Sequence, residues 1–212
     1  MRIAVIHGHP DNTQRHFGHE LADSYAQGAV NAGHEVRRLV VADMDFPLLR
    51  SQEAFQSDQT PADIREAQST IQWAQHMVLE YPLWLGTMPA LLKGFLEQAF
   101  RPGFAIAAES TAEEDAGSLG GGLLKGRSAR IIVTMGMPGF FYRLYFRAHS
   151  LKSLERNILR FSGIKPVRAS VIGMVEAVGD ARRQRWLRQM ERLGSRAREC
   201  TLRGRVAVIL TN

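Results

Sequence analysis

Three short segments of this chain carry residue types suited to gripping a flat ligand with an anionic tail. Tyr81-Pro82-Leu83-Trp84-Leu85-Gly86-Thr87-Met88-Pro89 sets Trp84, Leu85 and free backbone groups between a strand and a helix start, which suits a heteroaromatic ring with a polar rim. His7-Gly8-His9-Pro10-Asp11-Asn12-Thr13-Gln14-Arg15-His16 immediately precedes a helix whose first N–H groups and dipole favour an anion such as a phosphate. Thr134-Met135-Gly136-Met137-Pro138-Gly139-Phe140-Phe141-Tyr142 again combines backbone freedom with apolar cover. Blander readings stand beside these. An ordinary strand-to-helix connection accounts for the first segment, and a helix cap at Asn12 or Thr13 accounts for part of the second, though not for Arg15 and the histidines.

Other chemistries lose their footing on spacing. Gly120 to Lys125 superficially resembles a phosphate loop, but Gly126-Arg127 and a strand follow Lys125 where Ser or Thr and a helix are required. The first strand leads into a loop without Gly-x-Gly-x-x-Gly, which removes the dinucleotide fingerprint. His7 and His9 at a strand end point in opposite directions, and no second cluster of ligands is legible, so no metal site is expected.

Strand candidates at Ile3 to His7, Val36 to Val41, Met77 to Tyr81, Ala129 to Met135 and Val167 to Met174 alternate with helix candidates. The helices are expected over Phe17 to Asn31, Ala62 to Ala74, Pro89 to Phe100, Ser150 to Phe161 and Ala181 to Arg198. This alternation predicts an α/β fold: a three-layer, doubly wound, five-stranded parallel sheet in the order 2-1-3-4-5. In such sheets ligands bind outside the carboxyl ends of the strands, where all three segments lie. The connections Asp43 to Thr60 and Pro102 to Arg127 are longer than the scaffold needs, and the acidic then glycine-rich Ala112 to Gly122 reads as a mobile tip.

Composition sets the bounds. The chain has 212 residues, 45% apolar and 23% charged, enough for one core, read as a single domain over 1–200 with a tail at 201–212. One cysteine, Cys200, rules out an internal disulfide framework, and with no signal region or apolar run of membrane-spanning length a cytoplasmic location is expected. The net charge of +6 is uneven, with nine arginines between residues 182 and 205. They could attract anions, but Trp186, Met190, Leu193 and Ala197 form an apolar stripe that makes them the solvated face of a terminal helix.

Tyr81-Pro82-Leu83, followed by Met88-Pro89-Ala90-Leu91-Leu92-Lys93-Gly94-Phe95, resembles the Pro-Leu loop and Pro-Ala-x-Leu-Lys-Gly helix start of the flavodoxin-like NAD(P)H:quinone oxidoreductases. That family includes the DT-diaphorase group and bacterial relatives such as modulator of drug activity B. His9-Pro10, Phe17, Gly103-Phe104-Ala105, Thr134-x-Gly136, Asn157-Ile158-Leu159 and Phe161-x-Gly163 follow in the family's order, so the resemblance spans about residues 1 to 175.

The resemblance implies a flavin, FMN in preference to FAD because no adenine pocket is legible. His9, Arg15, His16 and Phe17 would surround its phosphate and ribityl chain, and Pro82, Leu83, Trp84, Leu85, Gly86, Thr134, Met135 and Gly136 would hold its ring through backbone N–H groups. It further implies two-electron ping-pong transfer from NAD(P)H through flavin N5 to a quinone, a homodimer with the cavity between subunits, and catalytic roles for Tyr142 and His149. Departures accompany it. His149 is displaced by one residue from the family's spacing, His16-Phe17-Gly18 stands where Ser-Phe-Asn is frequent, and Leu85 and Gly86 stand where vertebrate members carry aromatic residues.

Two other classes compete. The resemblance also includes ancillary subunits of potassium efflux transporters; such a flavin-binding protein would use the basic terminal helix and the Arg203 to Leu210 tail for peripheral membrane contact, without insertion. A one-electron carrier fits less well, because true flavodoxins are acidic. Nucleic-acid binding is not expected.

Overall fold

A computed structural model describes residues 1–107 and 121–197. Five strands, β1 (Arg2–His7), β2 (Glu35–Val40), β3 (His76–Pro82), β4 (Ser128–Thr134) and β5 (Val167–Ile172), form one sheet in the order β2-β1-β3-β4-β5. Every pairing is parallel. The expected order and architecture are therefore those observed. β3 runs through Pro82, one residue beyond the expected Tyr81, and its buried run ends at Tyr81.

The helices are α1 (Phe17–Asn31), α2 (Gln52–Gln56), α3 (Ala62–Trp73), α4 (Ala90–Ala99), α5 (Gly139–Leu144), α6 (His149–Ser153) and α7 (Asp180–Ser195). Pro89 sits at the N-cap of α4, one residue outside the helix expected to contain it. The single helix expected over Ser150 to Phe161 is α6 followed by a π-helical stretch, Leu154–Arg160. Over two turns the apolar spacing of the two helix types is not separable, so the sequence pattern could not reveal this. The short helices α2 and α5 lie in segments read as loops, because five or six residues carry too little periodicity to register.

Strand alternation divides the core between the two faces of the sheet. Ile3, Val5, Val78, Ile132 and Ile172 pack under α1 and α7 through Leu21, Tyr25, Trp186 and Met190. Ile6, Leu79, Tyr81, Ile131 and Val133 pack on the opposite face under α3, α4 and the α6 segment, with Ile71, Phe95 and Leu154. The helices α1 and α7 cross at two glycines: a Cβ at Gly28 would lie 1.9 Å from Glu191 O, and one at Gly194 would lie 1.9 Å from Tyr25 O. This crossing holds the carboxyl edge of β1, and the helix that follows it, in place.

The long connection after β2 is ordered, with Phe46 packed on Phe95 at 6.3 Å between ring centroids. Most of the acidic and glycine-rich stretch (112–120), as well as Cys200 and the tail, lies outside the described residues.

Candidate functional site

The loops after β1, β3 and β4 enclose a groove of about 550 Å³ at the carboxyl edge of the sheet. Ten of the twelve residues expected to hold a cofactor line it: His9, Arg15, His16, Phe17, Pro82, Leu83, Trp84, Thr134, Met135 and Gly136. Leu85 and Gly86 do not. Trp84 and Thr87 exchange backbone hydrogen bonds of 2.9 Å in both directions, closing a tight turn with Leu85 at φ +46° and Gly86 at φ +80°. Two consecutive positive φ values make this a hairpin-type turn, and they swing Leu85 fully into solvent.

The same turn changes the supply of backbone donors. The N–H groups of Leu83, Trp84, Thr87 and Met135 are already donated to Thr134 O, Thr87 O, Trp84 O and Ile172 O. Among the described residues, those of Leu85, Gly86 and Gly136 have no protein acceptor. A Cβ placed on Gly136 meets nothing within 4 Å, because this edge of the groove is open.

At the other end lies the N-terminus of α1, with His16 as its N-cap, so neither Asn12 nor Thr13 caps the helix. Asp11 folds the preceding loop instead, accepting from Thr13 N at 2.8 Å and Thr13 Oγ1 at 2.6 Å and pairing with His16 Nε2 at 2.8 Å. The two bonds from Thr13, and then that from His16, hold the Asp11 carboxyl well below its usual value. First-turn N–H groups such as those of Phe17 and Gly18 have no intrahelical acceptor by helix geometry, and they face the groove that these residues line.

His9 is buried and stacks on His16 at 3.7 Å, with Trp84 edge-on at 5.9 Å. Burial, then His16 and His19, push its pKa down to about 4, so the ring is neutral near pH 7. Its Nδ1 lies 3.0 Å from Asp11 O and 3.1 Å from Asp11 N, so the Asp11 backbone anchors this edge of the ring in either tautomer.

Arg183 also lines the groove and lies over the Phe17 ring at 4.6 Å. The sequence pattern had placed it on the solvated face of α7. It reaches the site because α7 crosses directly on α1, a tertiary fact without a local signal. Arg15, in contrast, is exposed and paired with Asp23 at 2.8 Å. Val175 and Glu176, after β5, complete the wall and were not anticipated.

Neither proposed catalytic residue reaches the groove. Tyr142 is buried, its hydroxyl bonded to Ser150 Oγ at 2.8 Å and to Leu151 N–H at 3.3 Å, so it fastens α5 to α6. His149 is exposed at the start of α6, after Arg147 and Ala148 in left-handed backbone conformations. The surrounding aromatics are exposed as one cluster: Phe141 stacks on Tyr145 at 5.0 Å, with Phe146 edge-on to both.

A family defined by the flavodoxin-like fold matches residues 1–193. The chain belongs to that family. This flavodoxin-like protein is 28% identical over 188 residues to an uncharacterized NAD(P)H oxidoreductase of Haemophilus influenzae, covering 87% of this chain and 89% of the relative. It is 29% identical over 122 residues to the ribosyldihydronicotinamide dehydrogenase [quinone] of Pongo abelii, covering 55% of this chain and 49% of the relative. The match thus spans about half of that relative's length. Among solved structures, an FMN-dependent NADH-azoreductase of Bacillus anthracis, in complex with FMN, superposes with a TM-score of 0.70 at 17% identity, covering 92% of this chain and 98% of that one.

The relatives' names agree with the family resemblance read from the Pro82 and Pro89 motifs. Among the described residues, no helix is long and apolar enough to cross a membrane.

Proposed function

We propose that the protein is a flavin-dependent NAD(P)H:quinone oxidoreductase that holds FMN in the groove between the α1 N-terminus and the Trp84 turn. The observation that carries the reading is that groove: about 550 Å³, with the α1 N-terminus at one end and apolar side chains beside the unpaired Gly136 N–H at the other, at the carboxyl edge of a doubly wound sheet. When bound, the flavin supplies two-electron chemistry, taking hydride from a reduced nicotinamide and passing electrons to a quinone.

The chain's own residues bind, orient and exclude water. The N–H groups of Phe17 and Gly18 and the Arg183 guanidinium would hold the phosphate, with His16 at the cap and His9 beside the sugar-alcohol chain. Arg15 would join them by leaving Asp23. Pro82, Leu83, Trp84, Thr134 and Met135 would form the dry wall for the ring, and the N–H group of Gly136 would meet its polar rim. No side-chain nucleophile is required. Tyr142 would act by positioning α5 rather than by touching the reacting atoms.

The exposed cluster of Phe140, Phe141, Leu144, Tyr145 and Phe146 beside this edge supports a homodimer formed through α5. The transporter-subunit reading gains no support: α7 buries its apolar stripe on α1, and the Arg203 to Leu210 tail lies outside the described residues.

An absorbance spectrum of the purified protein tests the proposal, with the released cofactor identified by mass. FMN bands that bleach with NADPH and return with a simple quinone are expected. Failure to bind FMN or FAD would overturn it.

A further inference from the structure

Behind the groove, under the first turn of α1, three segments distant in the chain bring ligating side chains together. His7 ends β1, Glu80 lies near the end of β3, and His19 is the third residue of α1. All three are buried, and one ligating atom from each lies within 4.8 Å of the others. The feature that marks the cluster is Glu80. It is completely buried, yet among the described residues neither carboxyl oxygen has a hydrogen-bond partner. An unpartnered buried carboxylate is costly and calls for a counterpart.

The backbone is shaped around that carboxyl. A Cβ at position 18 would lie 1.9 Å from Glu80 Oε1, so only glycine leaves room for it. Gly18 is also the position at which this chain departs from the asparagine frequent in the resembling family. Glycine and glutamate thus fit each other in this chain.

We propose that His7, His19 and Glu80 form a binding site for one divalent transition-metal ion, with zinc as the preferred occupant. Two imidazoles and one carboxylate are a donor set that suits zinc and leaves a fourth position for water. A tetrahedral site asks for ligating atoms about 3.3 Å apart, and the rotatable Glu80 side chain can close the remaining gap. Asp23 Oδ1 lies 3.9 Å from His7 Nε2 and adds negative charge beside the cluster.

Access is provided by a cavity of about 350 Å³ lined by His7, His19, Asp23 and Arg38. Its two cations, Arg15 and Arg38, are both turned to Asp23, at 2.8 and 3.5 Å, which limits their repulsion of an entering ion. The ion would tie β1, β3 and α1 together and place positive charge behind the helix N-terminus. The proposal stands independently of the flavin reading.

The test is competition for zinc chloride between the chelator-stripped full-length protein and a chromophoric chelator, together with an anomalous difference map collected at the zinc edge. One equivalent per chain is expected, with a peak between the three side chains. Glu80→Gln and His19→Gln should each weaken retention at least about tenfold, with circular dichroism reporting that the fold persists. Zinc not retained by the wild type, retained equally by both variants, or found only between His9 and His16 would overturn the proposal. Should the variants fail to fold, the wild-type stoichiometry and anomalous map decide it alone.

Discussion

At the residue scale, the groove depends on what is small and what is already bonded. Gly136 faces open space at the groove edge, so Gly136→Val fills ligand volume without striking protein. The expected outcome is a folded protein that loses bound flavin, checked by the ratio of flavin to protein absorbance; normal flavin content would move the ring elsewhere. Tyr142 contrasts with it. Its hydroxyl is consumed by Ser150 and Leu151. Tyr142→Phe should therefore cost about 1 kcal/mol of stability in urea unfolding while leaving flavin content and quinone turnover near wild type. A selective fall in turnover would return the hydroxyl to the reacting centre.

At the element scale, the site is held by the crossing of α7 on α1. Backbone approaches this close leave no room for a side chain, so Gly194→Val should destabilise the fold by several kcal/mol, read as a lower urea midpoint. Because Arg183 rides on the same helix, that variant should also weaken phosphate-end binding of FMN. The sheet contributes a second dependence, through His76. It is completely buried between Tyr25 OH at 3.0 Å and Ser128 Oγ at 2.7 Å.

Burial first, then Arg130, Arg168 and His34, push the pKa of His76 down to about 3. The unfolded chain then binds more protons than the folded one between about pH 6.5 and 3. Stability attributable to this ring is complete above pH 6.5 and falls as pH drops through that window. Unfolding midpoints measured from pH 7 to pH 4 should show this slope, and His76→Gln should flatten it. An unchanged slope would assign the acid sensitivity to other groups.

At the scale of the whole molecule, the exposed aromatic cluster on α5 is the surface that the fold leaves unpaired, and its ring stacking is already in place in the single chain. Phe141→Asp should convert a dimer into a monomer of unchanged circular dichroism, as read by analytical ultracentrifugation. A wild type that is monomeric at high concentration would remove the dimer from the proposal.

The strand order and most helix positions were legible because apolar alternation and helical spacing are local, and because parallel strands joined by right-handed crossovers leave few topologies. The three groove loops were legible for the same reason: position at the carboxyl edge follows from connectivity. The Pro82 to Pro89 segment announced its strand and helix ends through two prolines, but the Trp84 turn that takes Leu85 and Gly86 out of the groove depends on two positive φ values that only the folded chain displays.

Arg183, Glu80 and the burial of Tyr142 were decided by tertiary structure alone. Arg183 sits on the polar side of an amphipathic helix, and its neighbour across the crossing is not encoded nearby. Glu80 falls inside the strand expected over Met77 to Tyr81, and His7, Gly18 and His19 lie 61 to 73 residues before it in the chain. Periodicity specifies which face of an element is buried; what the buried face meets is specified by packing between elements, because contact energies act across space and not along the sequence.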